Sequence, residues 1–456
     1  MRFSRWVVFT FLVQLVVIAV DKGAGLVLLA LTQDNAAVKG TADLLSGLPF
    51  LLTALANLGL ATSLVYFLRR REFGVREIAE TTALVAIVWG LAIGALTFAG
   101  VHGILPLFKP DFAPSPWITA PLCLCIPLLL LTSYFNSIQL ASDRIRDYGL
   151  VHVAASALFL PLFVLLYFVS GREAAGAIAY GRLGASALVA LLVVWLVRDL
   201  VRLRPRLHRG FFRAGLRYGW KANLTSVTTY LNHRLDLYLV AVLFAAGLDA
   251  AKAQAGYYSL AVGFAQLVWH FPEATRDLFF SKVAGVSHGE ARRLTPILCR
   301  LSLLSAVVGS MAVYLAVPWV IAMVTSEVNT AGWVLRVQEP LLVLIPGTAT
   351  FTVAKILQND LAARGHLDPC IRACFLNLLL MVALDVVLVP EHGAVGAAWA
   401  STTAYMVSAA YTLFAYQRAG GATWWRCLVP VRSDAYYARE IAHAVLEKLR
   451  LRKRTA

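Results

Sequence analysis

Charge is what this chain has least of. Asp, Glu, Lys and Arg make up 14% of its 456 residues, against about a quarter in an ordinary soluble domain, while hydrophobic residues reach 59% and mean hydropathy is +0.71. That deficit excludes a typical water-soluble globule. A two-residue alternation of apolar and polar positions is also missing, which excludes a membrane β-barrel. The six cysteines are scattered, with Cys123, Cys125, Cys299, Cys370 and Cys374 in or at apolar runs and Cys427 near the end. No histidine stands at metal-ligand spacing from them, so they read as small apolar packing residues rather than a metal site or disulfide framework. Paired carboxylates, a nucleotide-binding glycine loop and a nucleophile constellation are lacking too. The longest gap on the less basic side, 102–115, holds only His102, Lys109 and Asp111 as chemistry-bearing residues. A membrane glycosyltransferase or polymerase would need more there, so no enzyme is expected. Arg2 and Arg5 precede Trp6–Val20 as in a signal peptide, but Asp21 and Lys22 replace a small-residue cleavage site, and the run is read as a retained helix.

What is present is a succession of apolar runs near the 20-residue length that crosses a bilayer as a helix. Twelve are legible, approximately 6–31, 42–68, 79–101, 116–140, 148–170, 175–197, 222–246, 254–276, 295–324, 335–359, 370–390 and 394–417. Helices suit lipid because they satisfy their backbone hydrogen bonds internally. Of the 41 Lys and Arg residues, 31 lie at the termini and in alternate gaps, and only Lys39, Lys109, Arg172 and Lys252 lie in the other gaps. Basic loops stay cytoplasmic, so both termini of this multi-pass membrane protein are expected there. The net charge of +16 then reflects topology and attraction to anionic membrane lipids, and no nucleic acid is needed to explain it.

The chain reads as a duplication. Ala175–Ala179 matches Val395–Trp399 at an offset of 220, which also relates Arg144 to Arg364, and an offset of 216 brings Lys39-Gly40 onto Ala255-Gly256. The expected organisation is a six-helix lobe over 1–197, a basic, partly amphipathic linker over 198–221, a second six-helix lobe over 222–418 and a basic tail over 419–456. Equal span numbers make the repeat parallel, with a pseudo-twofold along the membrane normal. Phe211, Phe212, Leu216 and Tyr218 in the linker, and Tyr437, Ile441, Val445 and Leu449 in the tail, suit interfacial helices.

Six cations lie inside the runs: Lys22, Arg182, Arg234, Arg300, Arg336 and Lys355. A charge at the centre of a membrane helix costs about 2.5–3.5 kcal/mol on insertion scales, so such residues face a polar cavity or reach an interface. Their sign points to anionic cargo. Arg182 and Arg336 stand toward the outer ends of their spans and Arg300 near the inner surface, where interfacial behaviour suffices.

Three stretches carry a family resemblance: Asn57-Leu-Gly-Leu-Ala-Thr62, Tyr230-Leu-Asn-His-Arg-Leu-Asp-Leu-Tyr238, and Ala255-Gly-Tyr-Tyr-Ser-Leu-Ala-Val-Gly263. With the twelve spans and basic linker, they resemble the multidrug/oligosaccharidyl-lipid/polysaccharide (MOP) flippase superfamily, in particular its polysaccharide-exporter branch of Wzx-like oligosaccharide flippases. Topological likeness covers the whole chain; specific residue likeness is confined to 220–285. The resemblance implies an all-α, MATE-like protein that moves undecaprenyl-diphosphate-linked oligosaccharide units from the inner to the outer leaflet. It implies no cofactor beyond coupling to a proton or sodium gradient, and polysaccharide polymerase or export machinery as partners. A lipid II flippase, differing only in the sugar, is the nearest alternative. A multidrug or small-cation antiporter would use acidic rather than basic cavity residues.

Such a carrier needs cations for a diphosphate, with Arg suited to bidentate contacts and Lys to point-charge attraction. Lys22 and Arg234 occupy the middles of corresponding spans, and Lys355 stands toward the inner end of the tenth. Asp21, Asn232, His233 and Asp236 surround the first two as supporting polar groups. Internal ion pairing, of Asp21 with a neighbour and of Asp236 with Arg234, is the alternative reading. Adjacent residues diverge by about 100° on a helix, which favours partners on other helices or a ligand. His270 and Glu273 suit a proton-linked gate or a salt-bridged helix end, and Asp385, deep in the eleventh span, suits a coupling cation.

Overall fold

The computed structural model describes residues 2–31, 35–104, 106, 115–171, 173–200, 206–283, 288–364, 366–429 and 431; among helical residues, the side chains of 2–12 and 271–283 are outside it, with several others. Helices account for nearly all of it, and no strand occurs among the described residues. They are α1 (Arg2–Leu31), α2 (Ala36–Ala56), α3 (Leu60–Arg70), α4 (Val75–Ala99), α5 (Pro116–Ala141), α6 (Ile145–Ala157), α7 (Phe159–Val169) and α8 (Ala174–Val197). Then come α9 (Arg209–Leu243), α10 (Leu248–Val283), α11 (His288–Ala322), α12 (Glu327–Ala363), α13 (Leu367–Arg418) and the short α14 (Trp424–Leu428). Taking α2–α3 and α6–α7 as bent passages, and dividing α13 at Gly393, where φ is +54°, each of the twelve apolar runs finds a helical passage. By length and composition, seven described helices are apolar enough to cross a membrane, or eight if the α2–α3 pair is one span.

The breaks have local causes. Between α2 and α3 the chain bends by 52° as Leu58 and Gly59 take φ of +57° and +71°. Glycine tolerates that left-handed region freely; leucine does not. The Asn57 carbonyl accepts the Leu60 amide at 3.2 Å and the Tyr134 hydroxyl at 2.9 Å, so the turn is tied to α5.

The molecule divides into two compact units: residues 1–259 with 321–333 and 385–397, and residues 260–320, 334–384 and 398–456. In the larger unit, α5 packs against α2, α3, α4 and α8, burying Ile126, Leu130, Tyr134 and Phe135 completely. The first turns of α9 belong to this packing rather than lying free. Phe211 is fully buried, edge-on to Phe67 and Phe73 with centroids 6.2 and 5.6 Å away. Arg209, Arg213 and Arg217, four residues apart on the opposite face, remain exposed. His208, just before α9, is held by its ring on Glu80 at 3.0 Å and by its amide on the Thr81 hydroxyl at 3.1 Å. In the smaller unit, Trp269 donates to the Thr348 carbonyl at 3.1 Å, and Phe351 stacks on Tyr405 with centroids 4.6 Å apart. There α14 seats Cys427 beside Cys299, and Arg300 donates to the Arg426 carbonyl at 2.5 Å. The tail from 432 onward, with its expected interfacial helix, lies outside the described residues.

One contact in the larger unit has the reciprocity of a local twofold axis. A Cβ on Gly40 of α2 would overlap the Lys252 carbonyl of α10, and a Cβ on Gly256 would overlap the Ala36 carbonyl. Ala36 and Lys252, like Gly40 and Gly256, are 216 positions apart, and so are Asp43 and Ser259, which hydrogen-bond to each other. Such mutual i-to-j and j-to-i contacts characterise an isologous interface. Small residues are required because the backbones themselves touch. Gly40→Ala should therefore destabilise the protein by about 1–3 kcal/mol through forced separation of α2 and α10. Gly332→Ala, where a Cβ would meet nothing within 4 Å, should not. Thermal unfolding of the purified variants measures both.

Candidate functional site

The larger unit gathers charge from four helices. On α1, Asp21 lies within Coulombic reach of Lys22, Arg182 of α8 and Arg234 of α9, and beside the Ser156 hydroxyl of α6. Lys22 lies within reach of Arg234, Asp21, Asp43 and Lys39. On α2, Lys39 is 2% exposed and ion-paired to Asp43, which also receives the Ser259 hydroxyl. The cluster thus sets Lys22, Lys39, Arg182 and Arg234 against only Asp21 and Asp43, leaving a formal surplus of two positive charges.

Arg182 sits differently from the span-end position its sequence suggested. Its guanidinium carbon lies 3.7 Å from the centroid of Phe159 and 5.2 Å from that of Phe50. Its Nε is buried without a hydrogen-bond partner among the described residues. Aromatic faces position the cation but leave its forked N–H groups available for an anion. The Lys39–Asp43 pair was likewise outside the sequence-based site, because Lys39 counted as a loop charge. The α2 helix starts at Ala36, with Asn35 capping it through bonds from Ala37 and Val38 at 3.0 and 3.3 Å, and so draws Lys39 inside.

Around Arg234, Tyr230 and Tyr238 lie within its electrostatic reach, and Tyr238 donates to the Leu44 carbonyl at 3.2 Å. Asn232 and Asp236, four residues apart on one face of α9, are buried, His233 is half-buried, and Arg234 is exposed. Asp236 accepts the Tyr258 hydroxyl at 2.5 Å and the Leu237 amide at 2.8 Å. It therefore does not serve as the partner of Arg234 through those bonds. Asp385 is fully buried within Coulombic reach of Asp236, and neither of its oxygens has a hydrogen-bond partner among the described residues. The unit thus holds a cationic cluster and a separate carboxylate pair.

The other sequence candidates have surroundings of their own. Lys355 belongs to the smaller unit, where its ammonium lies 4.1 Å from the Trp269 ring centroid and 5.7 Å from that of Phe351. The side chains of His270 and Glu273 lie outside the described residues. Arg300 is 7% exposed and anchors α14, and Arg336 is exposed near Gln338, which donates to the Tyr314 carbonyl at 3.2 Å.

Comparison with known proteins supplies the family. The sequence profile described as "Polysaccharide biosynthesis protein" matches residues 47–329, well over half of the chain. Among curated proteins no sequence matches. Among solved structures, the lipid II flippase MurJ in an inward closed conformation is similar with a TM-score of 0.72 and 16% identity, over 90% of this chain and 87% of that one. An inward-facing multidrug resistance MATE family transporter gives 0.65 and 15%, over 88% and 94%. A MOP superfamily transporter from Pyrococcus furiosus gives 0.55 and 15%, over 91% and 93%. At such identities the likeness speaks for fold. The chain is a member of the polysaccharide biosynthesis protein family, an all-helical membrane protein with the fold of the MOP flippase superfamily.

Proposed function

We propose that this protein carries polyprenyl-diphosphate-linked oligosaccharide units from the inner to the outer leaflet of a bacterial plasma membrane by alternating access. The observation that carries the reading is the surplus of two cations in the cluster of Lys22, Lys39, Arg182 and Arg234, which among the described residues has Asp21 and Asp43 to offset it. Like charges gathered this closely repel one another, and the half-buried Lys22 and Arg182 are less screened from that repulsion than charges in open water. A diphosphate diester brings two negative charges, which matches the surplus. Guanidinium groups offer it bidentate hydrogen bonds, and the Lys22 ammonium adds a point charge. Tyr230 and Tyr238 add hydroxyls beside Arg234. A polyprenyl tail remains in lipid throughout, so the protein needs to shield only the diphosphate and sugar. Membership in a polysaccharide biosynthesis family supports an oligosaccharide as the cargo over the peptidoglycan precursor.

Energy would enter at Asp236 and Asp385. Two neighbouring buried carboxylates do not both stay charged without a proton or cation between them. That pair is our assignment for coupling to a proton or sodium gradient. The reading leaves Lys355 as a cation held on aromatic rings, a positioning element of the smaller unit.

Reconstituted in liposomes, the protein should move a labelled polyprenyl-diphosphate oligosaccharide between leaflets. Lys22→Ala, Arg182→Ala and Arg234→Ala should each slow it by roughly tenfold or more, the scale of one lost charge-assisted contact. Unchanged flipping in all three would remove the cationic cluster from the mechanism. Asp385→Asn should leave binding intact but make transport indifferent to an imposed pH or sodium gradient. Retained gradient dependence would place the coupling group elsewhere.

A further inference from the structure

Near the cationic cluster, α2 and α5 also carry carboxamides whose hydrogen-bonding capacity is only partly used among the described residues. On α5, Gln139 is fully buried, and neither its amide nitrogen nor its amide oxygen has a hydrogen-bond partner among the described residues. One turn away, Asn136 is 8% exposed; its amide nitrogen lies 3.1 Å from the His152 ring of α6, while its oxygen is unpartnered. At the α2 break, Asn57 donates weakly to the Ser133 hydroxyl at 3.4 Å, and its oxygen too is unpartnered. Four amide atoms from three side chains are therefore buried and unsatisfied in one neighbourhood.

Folded proteins satisfy the great majority of buried polar groups, so a concentration of orphans calls for a reason. Leucine would fill the same volume on α5 without that penalty, and a pair of unsatisfied amide atoms on one glutamine does nothing for packing. The seam also adjoins the site. His152 and Ser156 are four residues apart on one face of α6, and Ser156 stands beside Asp21 of the cationic cluster. Asp21 and Ser156 at one turn of α6, and His152 and Asn136 one turn away, thus put polar groups along the same helix face.

We propose that Asn57, Asn136, Gln139 and His152 form the subsite that recognises the hydroxyl groups of the sugar attached to the diphosphate. This rests on the cationic cluster being the diphosphate site. Carboxamides offer a donor and an acceptor each, which matches hydroxyls that both donate and accept. Lacking charge, the seam selects a neutral sugar over a uronate. The amides gain their partners as α2, α5 and α6 part around the cargo, and the cationic cluster sets how far from them the first ring lies.

The test uses the full-length protein and two probes, a polyprenyl diphosphate without sugar and the same lipid carrying one neutral hexose. Gln139→Leu and Asn136→Leu should melt at or above the wild-type temperature and bind the sugar-free lipid as wild type does. Each should bind the hexose lipid roughly tenfold more weakly, because the sugar hydroxyls lose their partners. Equal affinity of the variants for both lipids, the result expected of a seam filled by water alone, overturns the assignment. So does a fall in melting temperature with equal losses for both lipids, which marks a structural role. Wild-type protein that binds neither lipid overturns the diphosphate site, and the sugar subsite with it.

Discussion

A surplus of positive charge in the interior of a hydrocarbon-embedded fold is the constraint on which the larger unit depends. Lys22, Arg182 and Arg234 come from three different helices, and no local rule brings them together. Lys22 and Arg182 are half-buried and Arg234 is exposed, and the three like charges repel one another. The fold offsets this only in part, through Asp21, the Lys39–Asp43 pair and the rings of Phe159 and Phe50 that face Arg182. Preorganised groups of this kind are useful to a carrier because they need not reorganise when the anion arrives.

The small residues of the same unit follow from a second demand, that helices approach closely and still part. Backbone contact at Gly40 and Gly256 puts α2 directly against α10, and Asp43 ties that contact to the cluster by facing Lys39, Ser259 and Lys22 at once. An anion that draws Lys22 toward itself weakens one of the attractions on Asp43. The crossing and the cationic cluster therefore share the Asp43 side chain. The Leu58–Gly59 bend separates α2 from α3, so that each packs with its own neighbours.

Much of the fold was legible because lipid enforces it. A run such as 79–101 has no alternative to a helix in hydrocarbon, and α4 at Val75–Ala99 follows from composition alone. Lys22 and Arg234 were legible as site candidates because a charge inside an apolar run is conspicuous. Arg182 was not, since its place near one end of a span says nothing about what stands opposite, and Phe159, Phe50 and Asp21 are remote in sequence. Lys39 was misread because helix α2 begins six residues before the apolar run does, capped by Asn35. Lys355 was grouped with Lys22 by charge, whereas packing assigns it to Trp269 in the other unit. The Asn57, Asn136 and Gln139 amides had no sequence signal, because unsatisfied polarity exists only once neighbours are known.

The central claim, that these cations are kept for an anionic lipid rather than for the fold, meets its most direct test in melting temperatures. Lys22→Met and Arg182→Met should be measured beside wild type, each with and without polyprenyl diphosphate. The account predicts that the empty variants are at least as stable as wild type, because repulsion is relieved, and that the rise in melting temperature on adding the lipid is lost. Variants that are destabilised when empty yet still gain full stability from the lipid would contradict it.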